Sequence, residues 1–134
     1  MDIDVIKKPV VRTFDVSSRY AGIPEITDLM FDLSLLRIAL RFQSSESPVY
    51  LTIDGVRGFR VLDEGDLLEF WNSELRAEGW LWIVEKGGWF DLESFREGFL
   101  SAVTGGYTEY LLLGQNECVS IISNKAPTID MPRP

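Results

Sequence analysis

The residues of this chain that could do chemistry are few, and the densest group is the acidic run Asp63-Glu64-Gly65-Asp66. Neighbouring carboxylates can bind Mg²⁺ or divide the roles of acid and base between them. The run also precedes a predicted helix, where carboxylates cap the first turn and interact favourably with the helix dipole. It lacks the further oxygen ligands of a calcium loop. Helix capping, protein binding, and metal binding or catalysis are therefore three alternatives for these residues.

The rest of the sequence contains few side chains that could act in catalysis. It contains no histidine, so the usual general base and the commonest metal ligand are missing together. The one cysteine, Cys118, lies in a predicted strand without a base beside it, which is typical of a buried structural thiol. No glycine spacing matches a phosphate-binding or dinucleotide-binding loop. We therefore expect no enzymatic activity, no cofactor and no bound metal.

Length and composition favour a single domain, residues 1–134. A chain of this length with 46% hydrophobic residues can bury a core without disulfides or metals. The single cysteine excludes an internal disulfide, as is typical of a reducing compartment. Residues 1–20 do not resemble a signal peptide, and the longest apolar run, residues 80–84, is far shorter than the roughly 20 residues of a membrane span. We therefore expect a cytoplasmic protein with no membrane partner.

The net charge of −8 is concentrated in the middle of the chain. Residues 63–97 hold 10 acidic and 3 basic residues, whereas residues 1–62 hold 8 of each. Such acidity repels a phosphate backbone, so nucleic-acid binding is disfavoured. The charge could serve solubility alone, but its clustering favours a basic protein partner.

Alternating apolar and polar residues predict most of the strands. Residues 28–42 alternate with one slip of phase, which predicts a long strand containing a β-bulge. Residues 49–53 and 56–62 flank Asp54-Gly55, a dipeptide typical of a two-residue hairpin turn. The apolar run 80–85 predicts a central strand.

The C-terminal part of the chain predicts a second hairpin. Residues 108–113 and 117–123 read as strands joined across Gly114-Gln115-Asn116. The proline-rich segment 125–134 is expected to be an extended tail.

Two segments predict helices. In residues 67–75 apolar side chains recur at three- and four-residue intervals, and Asp63 or Asp66 is available as the cap. A second short helix begins near Asp91, with Leu92, Phe95 and Phe99 on its apolar side. The order of the elements predicts an α+β domain, in which a mostly antiparallel sheet of five to seven strands packs against these two helices.

The tryptophans divide into core and contact candidates. Trp71, Trp80 and Trp82 lie on apolar faces, the last two on the same face of one strand, and are expected in the core. Trp89 follows a Gly-Gly turn, where exposure is easier, and interface anchors are enriched in tryptophan. We therefore predict that Trp89 contacts a partner.

One part of the sequence carries a resemblance to a known group of proteins. The stretch Gly58 to Trp71, GFRVLDEGDLLEFW, is followed by a tryptophan-rich strand (79–85), a Gly88-Trp89 turn and a terminal hairpin. This arrangement over residues 58–123 resembles small single-domain bacterial proteins. In size, acidity and lack of catalytic groups, the chain is similar to the immunity proteins of contact-dependent inhibition and other polymorphic toxin systems.

The resemblance implies a protein that binds a cognate toxin, often a basic nuclease, and occludes its active site. An acidic face would imitate the phosphate track and speed encounter by electrostatic steering. The residues expected to contact the partner are Asp63, Glu64, Asp66, Glu69, Glu78, Trp89, Asp91 and Glu93. Another protein-interaction module, such as an adaptor or a secretion chaperone, and a carboxylate- or metal-dependent enzyme are the alternatives.

Overall fold

The computed structural model describes residues 9–63, 79–99 and 105–130, and 53% of these residues lie in strands. The strands are β1 Val10–Thr13, β2 Glu25–Phe31, β3 Leu35–Arg41, β4 Val49–Asp54, β5 Val56–Asp63, β6 Leu81–Lys86, β7 Thr108–Leu113, β8 Glu117–Ser123 and β9 Thr128–Asp130. The helical elements of the described residues are a 3-10 turn, Asp15–Arg19, and a short α-helix, α1, Trp89–Glu93.

The strands form two antiparallel sheets. Sheet A has the order β1-β6-β7-β8-β5, and sheet B has the order β2-β3-β4-β9. The chain passes from sheet A to sheet B between β1 and β2, back to sheet A between β4 and β5, and to sheet B again between β8 and β9. The last two connections join the sheets at one end, which therefore holds the start of β3, the start of β7 and the end of β6.

The main core lies between the sheets. Alternate residues of β3 and β4 face alternate residues of β6, β7 and β8, and nearly all of these side chains are fully buried. Aromatic pairs link the two layers: the Phe42 and Trp80 rings lie 5.1 Å apart, as do the Phe31 and Phe59 rings. Sheet-on-sheet packing of this kind buries the apolar face of each sheet without a helix.

Sheet A is also buried on its other face, which we call the outer face. A second cluster there contains Trp82, Val84, Leu111, Leu113 and Cys118, each less than 10% exposed. The predicted burial of Cys118 is therefore confirmed. Burial on both faces explains why the central parts of β6, β7 and β8 carry apolar side chains on both faces instead of alternating.

The prediction of an α+β domain with one sheet and two packed helices is wrong. The described residues form two sheets that cover each other, and α1 has only five residues, none of them buried. The apolar faces that were expected to receive helices instead face the opposite sheet. The other predicted helix, residues 67–75 with Trp71, lies outside the described residues.

The predicted long strand 28–42 is in fact two strands, β2 and β3, that form a hairpin. Phe31 pairs with Leu36, and the turn is at Leu33-Ser34. The slip of phase near these residues marks the reversal of the chain, because the inward-facing pattern restarts in the returning strand. Leu33 has a positive φ of 80°. Bulky residues seldom adopt this conformation, so a leucine in the sequence does not indicate such a turn.

The hairpin predicted at Asp54-Gly55 is also wrong in its pairing. Strands β4 and β5 lie where they were expected, but β4 pairs with β3 in sheet B and β5 pairs with β8 in sheet A. Gly55 has the positive φ that the turn requires, 66°, and its carbonyl accepts a hydrogen bond from the Asn124 N–H (3.2 Å). The dipeptide is therefore a corner between the sheets.

Other strand predictions are confirmed. Strand β6 has neighbours on both sides, and β7 and β8 pair as the predicted hairpin. Within the tail, Thr128–Asp130 is extended and pairs with β4. Trp80 and Trp82 are buried, but they belong to different clusters on opposite faces of sheet A, contrary to the prediction that they share one face. No helix of the described residues is long and apolar enough to cross a membrane.

Candidate protein-binding surface at helix α1

A buried carboxylate positions the start of α1. Glu109 lies on the outer face of sheet A, in line with Val84 and Ile122 on the neighbouring strands, and is only 3% exposed. Its Oε2 accepts a hydrogen bond from the Trp89 N–H (3.1 Å), and its Oε1 accepts one from the Phe90 N–H (2.7 Å). These donors belong to the first turn of α1, whose own N-cap residue, Gly88, provides no side-chain cap. The side chain of Glu109, in strand β7, thus caps the N-terminus of α1.

Gly88 allows this close approach. A Cβ atom at position 88 would lie 2.6 Å from both Glu109 Oε1 and Val84 Cγ1. Burial raises the pKa of Glu109, and the two backbone hydrogen bonds and the charge of Arg60 oppose this shift without cancelling it. The close contact between Gly88 and the Glu109 carboxylate therefore leaves no room for a side chain at position 88.

We expect Gly88→Ala to destabilise the protein, since the added methyl group must displace Glu109 or Val84. The free energy of unfolding should fall by about 1–3 kcal/mol, the usual cost of overpacking. Gly98→Ala is the matched control, because a Cβ there has no neighbour within 4 Å. Chemical denaturation measures both variants, and equal stability losses would contradict this account.

The raised pKa of Glu109 predicts a pH dependence of stability. Because the folded state holds this proton more tightly than the unfolded state, the contribution of Glu109 is largest at low pH and is lost as pH rises through the folded pKa. The native chain should therefore lose stability relative to Glu109→Gln as pH rises from about 4.5 towards 7. Denaturant titrations of both proteins across this range test the sign. If the stability of the native chain relative to Glu109→Gln does not change with pH, or increases with pH, the predicted sign is wrong.

Trp89 is half-buried and contacts its own protein. Its ring lies over the Arg60 guanidinium, 5.2 Å from the ring centre, and against Gly58. The indole Nε1–H donates to Glu93 Oε1 (3.1 Å). The Arg96 guanidinium also binds Glu93 (2.7 Å), and these contacts lower the pKa of Glu93. The ring therefore fixes α1 against β5.

Beyond Trp89, the helix presents apolar side chains to solvent. Leu92 is 62% exposed and Phe95 is 87% exposed. The prediction that they pack on the apolar side of a helix is wrong, because α1 ends at Glu93 and begins at Trp89, two residues before the predicted start. Phe99 is half-buried and contacts Phe90, with ring centres 5.5 Å apart.

The exposed apolar side chains are flanked by carboxylates. Asp91 precedes them and Glu97 follows them in the sequence, and both side chains are exposed. We call the side chains of Asp91, Leu92, Phe95 and Glu97 the α1 surface. An apolar centre with a charged rim is the usual composition of a protein-binding patch.

The structure brings together only some of the predicted contact residues. Trp89, Asp91 and Glu93 all lie on α1. Asp63 is the last residue of β5, where it pairs with Glu117 at the opposite end of sheet A from α1. The remaining members of the predicted set lie outside the described residues: Glu64, Asp66, Glu69 and Glu78.

A cleft of about 370 Å³ lies between β6, β7 and the start of α1. Its walls carry charges of both signs, from Arg12 and Lys86 and from Asp91 and Glu109. Arg12 forms an ion pair with Glu85 (3.0 Å), and both Glu109 oxygens accept backbone hydrogen bonds. Within the described ranges, no group of three or more His, Cys, Asp or Glu side chains could hold a metal ion. The cleft is therefore of mixed charge and adjoins the α1 surface through Asp91.

Sequence reasoning missed Glu109 and Gly88, although a signal for the first was present. Glu109 alternates with Leu111 and Leu113 on one face of a strand that is otherwise apolar. A carboxylate on such a face requires hydrogen-bond donors, and the donors prove to be backbone N–H groups of α1.

A comparison with protein-family models, with curated proteins and with solved structures finds no match for this chain.

Proposed function

We propose that this chain is a binding protein that neutralises a cognate bacterial toxin by direct contact, with the α1 surface at the centre of the interface. The observation that carries the proposal is the exposure of Leu92 and Phe95 between the carboxylates of Asp91 and Glu97. Single exposed apolar residues are common on soluble proteins. Two large ones three residues apart, one on a helix whose first turn is held by a buried carboxylate and one in the turn that follows it, are better explained by a partner that covers them.

Preorganisation supports the same proposal. Glu109 fixes the Trp89 and Phe90 backbone, and Asp91 Oδ2 accepts a hydrogen bond from the Gly87 N–H (2.8 Å). The loop and the helix are therefore ordered before binding, so less conformational entropy is lost in the complex. Leu92 and Phe95 can then act as anchors that enter apolar pockets of the partner.

The charge of the chain indicates a basic partner. Residues 63–97 carry most of the net charge of −8, and the exposed carboxylates of the α1 surface belong to this segment. A toxin that acts on nucleic acid needs a basic substrate groove, and an acidic inhibitor can be steered towards such a groove. Bound there, the α1 surface would occlude the groove in the cytoplasm of the producing cell.

Co-purification of the native partner tests the proposal. The tagged chain is expressed in its source cells, and the co-purified protein is then expressed alone and together with the chain. A basic protein that arrests growth alone and is harmless with the chain supports neutralisation. A partner whose expression alone is harmless would overturn it and favour an adaptor or a secretion chaperone.

Electrostatic steering gives a kinetic prediction for the purified pair. Glu97→Lys should lower the association rate constant by about threefold or more at low salt, with a smaller effect at high salt where exposed charges are screened. Glu46→Lys is the matched control, since Glu46 is exposed on the β3–β4 connection at the opposite end of the molecule. Stopped-flow binding at two salt concentrations measures both. An association rate that is equally insensitive to both substitutions would exclude steering by this surface.

A further inference from the structure

The tip of the β2–β3 hairpin is a second place where large apolar side chains are exposed. Leu33 is 87% exposed, Met30 is 61% exposed and Leu35 is 36% exposed. Three such residues within six positions form an apolar projection at the end of sheet B. These three side chains do not pack in the core between the sheets, because their neighbours Phe31 and Leu36 face inward instead.

Leu33 occupies this tip at a cost to stability. Its φ of 80° lies in the left-handed region, where the Cβ of a bulky residue is strained. Glycine or asparagine would adopt the same turn more readily. A leucine that is strained and also exposed gains nothing from the fold of this chain, and residues in such conformations cluster at functional sites.

The turn that presents Leu33 is held by local hydrogen bonds. Asp32 Oδ1 accepts hydrogen bonds from the Ser34 N–H (3.0 Å), the Ser34 hydroxyl (3.0 Å) and the Leu35 N–H (2.8 Å). These bonds lower the pKa of Asp32, which keeps its carboxylate charged. Leu33 is therefore presented on an ordered turn that carries a negative charge at its base.

The hairpin tip and α1 lie at the same end of the two sheets. In sheet B, Leu35 at the start of β3 pairs with Asp54 at the end of β4. The corner at Gly55 then leads to Val56, which pairs with Ser123 in sheet A. Ser123 also pairs with Thr108, beside the end of β6 from which the chain enters α1. Loops gathered at one end of a sheet sandwich commonly form one binding surface.

We propose that Leu33 is a second anchor for the partner of the α1 surface, and that it enters an apolar pocket rimmed by basic side chains. This inference rests on the proposed function. The basic rim is inferred from charge complementarity, since Asp32 and Asp54 are exposed beside the tip, and the ion pair of Asp54 with Lys125 is long (3.9 Å) and exposed. The partner therefore spans the end of the molecule from α1 to the β2–β3 hairpin.

A second copy of this chain is a poorer occupant of the tip. Among the described strands, β2 lies at an edge of sheet B, but a bulge between Ile26 and Asp28 interrupts its register with β3. Antiparallel pairing of two β2 strands about their centre would also bring the two Asp28 side chains together. Bulges and charges of this kind protect edge strands from self-association.

Site-directed photo-crosslinking in the source cells tests where the partner lies. A benzophenone amino acid is placed at position 33, at position 92 and, as a control, at position 61, where the native Val61 is exposed near the other end of β5. We expect positions 33 and 92 to capture the same basic protein and position 61 to capture none of it. Capture from 92 but not from 33, or capture of a second copy from 33, would overturn this inference alone. Failure at both positions would overturn the proposed function as well.

Replacement of Leu33 then distinguishes a role in binding the partner from a role in stabilising the fold. With the purified partner, Leu33→Gly should raise Kd by about tenfold or more, as loss of an interface anchor does. The thermal unfolding midpoint should stay unchanged or rise, because glycine relieves the strain at this φ. Leu33→Asn should behave in the same way. An unchanged Kd, or a lowered unfolding midpoint in both variants, would overturn the proposal.

Discussion

Trp80→Ala is expected to lower the free energy of unfolding by about 3–5 kcal/mol, the usual cost of removing a buried tryptophan side chain. Trp80 is 1% exposed and immediately precedes β6, where its ring meets Phe42 of the facing sheet at 5.1 Å. Its Nε1–H donates to the Tyr20 carbonyl (3.2 Å). The Tyr20 ring in turn stacks on Phe42. One side chain thus joins sheet A, sheet B and the segment before β2, and its loss leaves a cavity at their junction.

Trp82 provides the matched control, because it is equally buried but differs in its hydrogen bonding. Within the described part of the chain, Trp82 Nε1 has no hydrogen-bond partner, whereas Trp80 Nε1 has one. Trp→Phe at position 80 should therefore cost more than at position 82, by about 1–3 kcal/mol. Equilibrium denaturation of the two phenylalanine variants gives the difference directly. An equal cost would mean that the Tyr20 hydrogen bond contributes nothing to stability.

Several strands of this fold could be predicted from the sequence, because the apolar pattern of a strand reflects its burial. No strand is predicted at β1, and β2 and β3 are predicted as one. Strands β7 and β8 were found with their observed limits, and β6 was recognised as central from its continuous apolar run. Pairing is different, because it depends on residues far away in the chain. Asp54-Gly55 has the backbone conformation of a turn, but nothing local distinguishes a hairpin from a corner between two sheets.

The turn at Leu33-Ser34 shows a second limit. The apolar pattern changes phase there, and both a bulge and a chain reversal produce such a change. Neither position holds Gly, Asn or Asp, the residues that usually signal a two-residue hairpin turn, so the sequence favoured the bulge. Asp32, whose side chain caps the turn by three hydrogen bonds, and Ser34 could have indicated the reversal.

The acidic residues near position 91 could be named from the sequence, and their contact with a partner stays a prediction. The exposure of Leu92 and Phe95 could not be predicted, because helical periodicity predicts a buried face only if the helix continues. Here α1 is anchored from outside by Glu109, stops at Glu93 and leaves both side chains exposed.

The double substitution Leu92→Asp with Phe95→Asp is expected to raise Kd for the partner by roughly 100-fold or more, since interface anchors contribute about 2 kcal/mol or more each. Stability should change by less than about 1 kcal/mol, because exposed side chains add little to the fold. The loss should appear in the dissociation rate, as is usual when desolvated contacts are removed.

Aspartate is the informative replacement because it separates two explanations of the α1 surface. If acidity alone attracts a basic partner, two further carboxylates should tighten binding and speed association. If Leu92 and Phe95 are apolar anchors, buried carboxylates without partners should weaken binding despite the favourable charge. Val61→Asp adds one carboxylate at an exposed apolar position on β5 and shows the effect of a single added charge outside the α1 surface. Tighter binding by the double variant in surface-binding kinetics would show that Leu92 and Phe95 are not anchors.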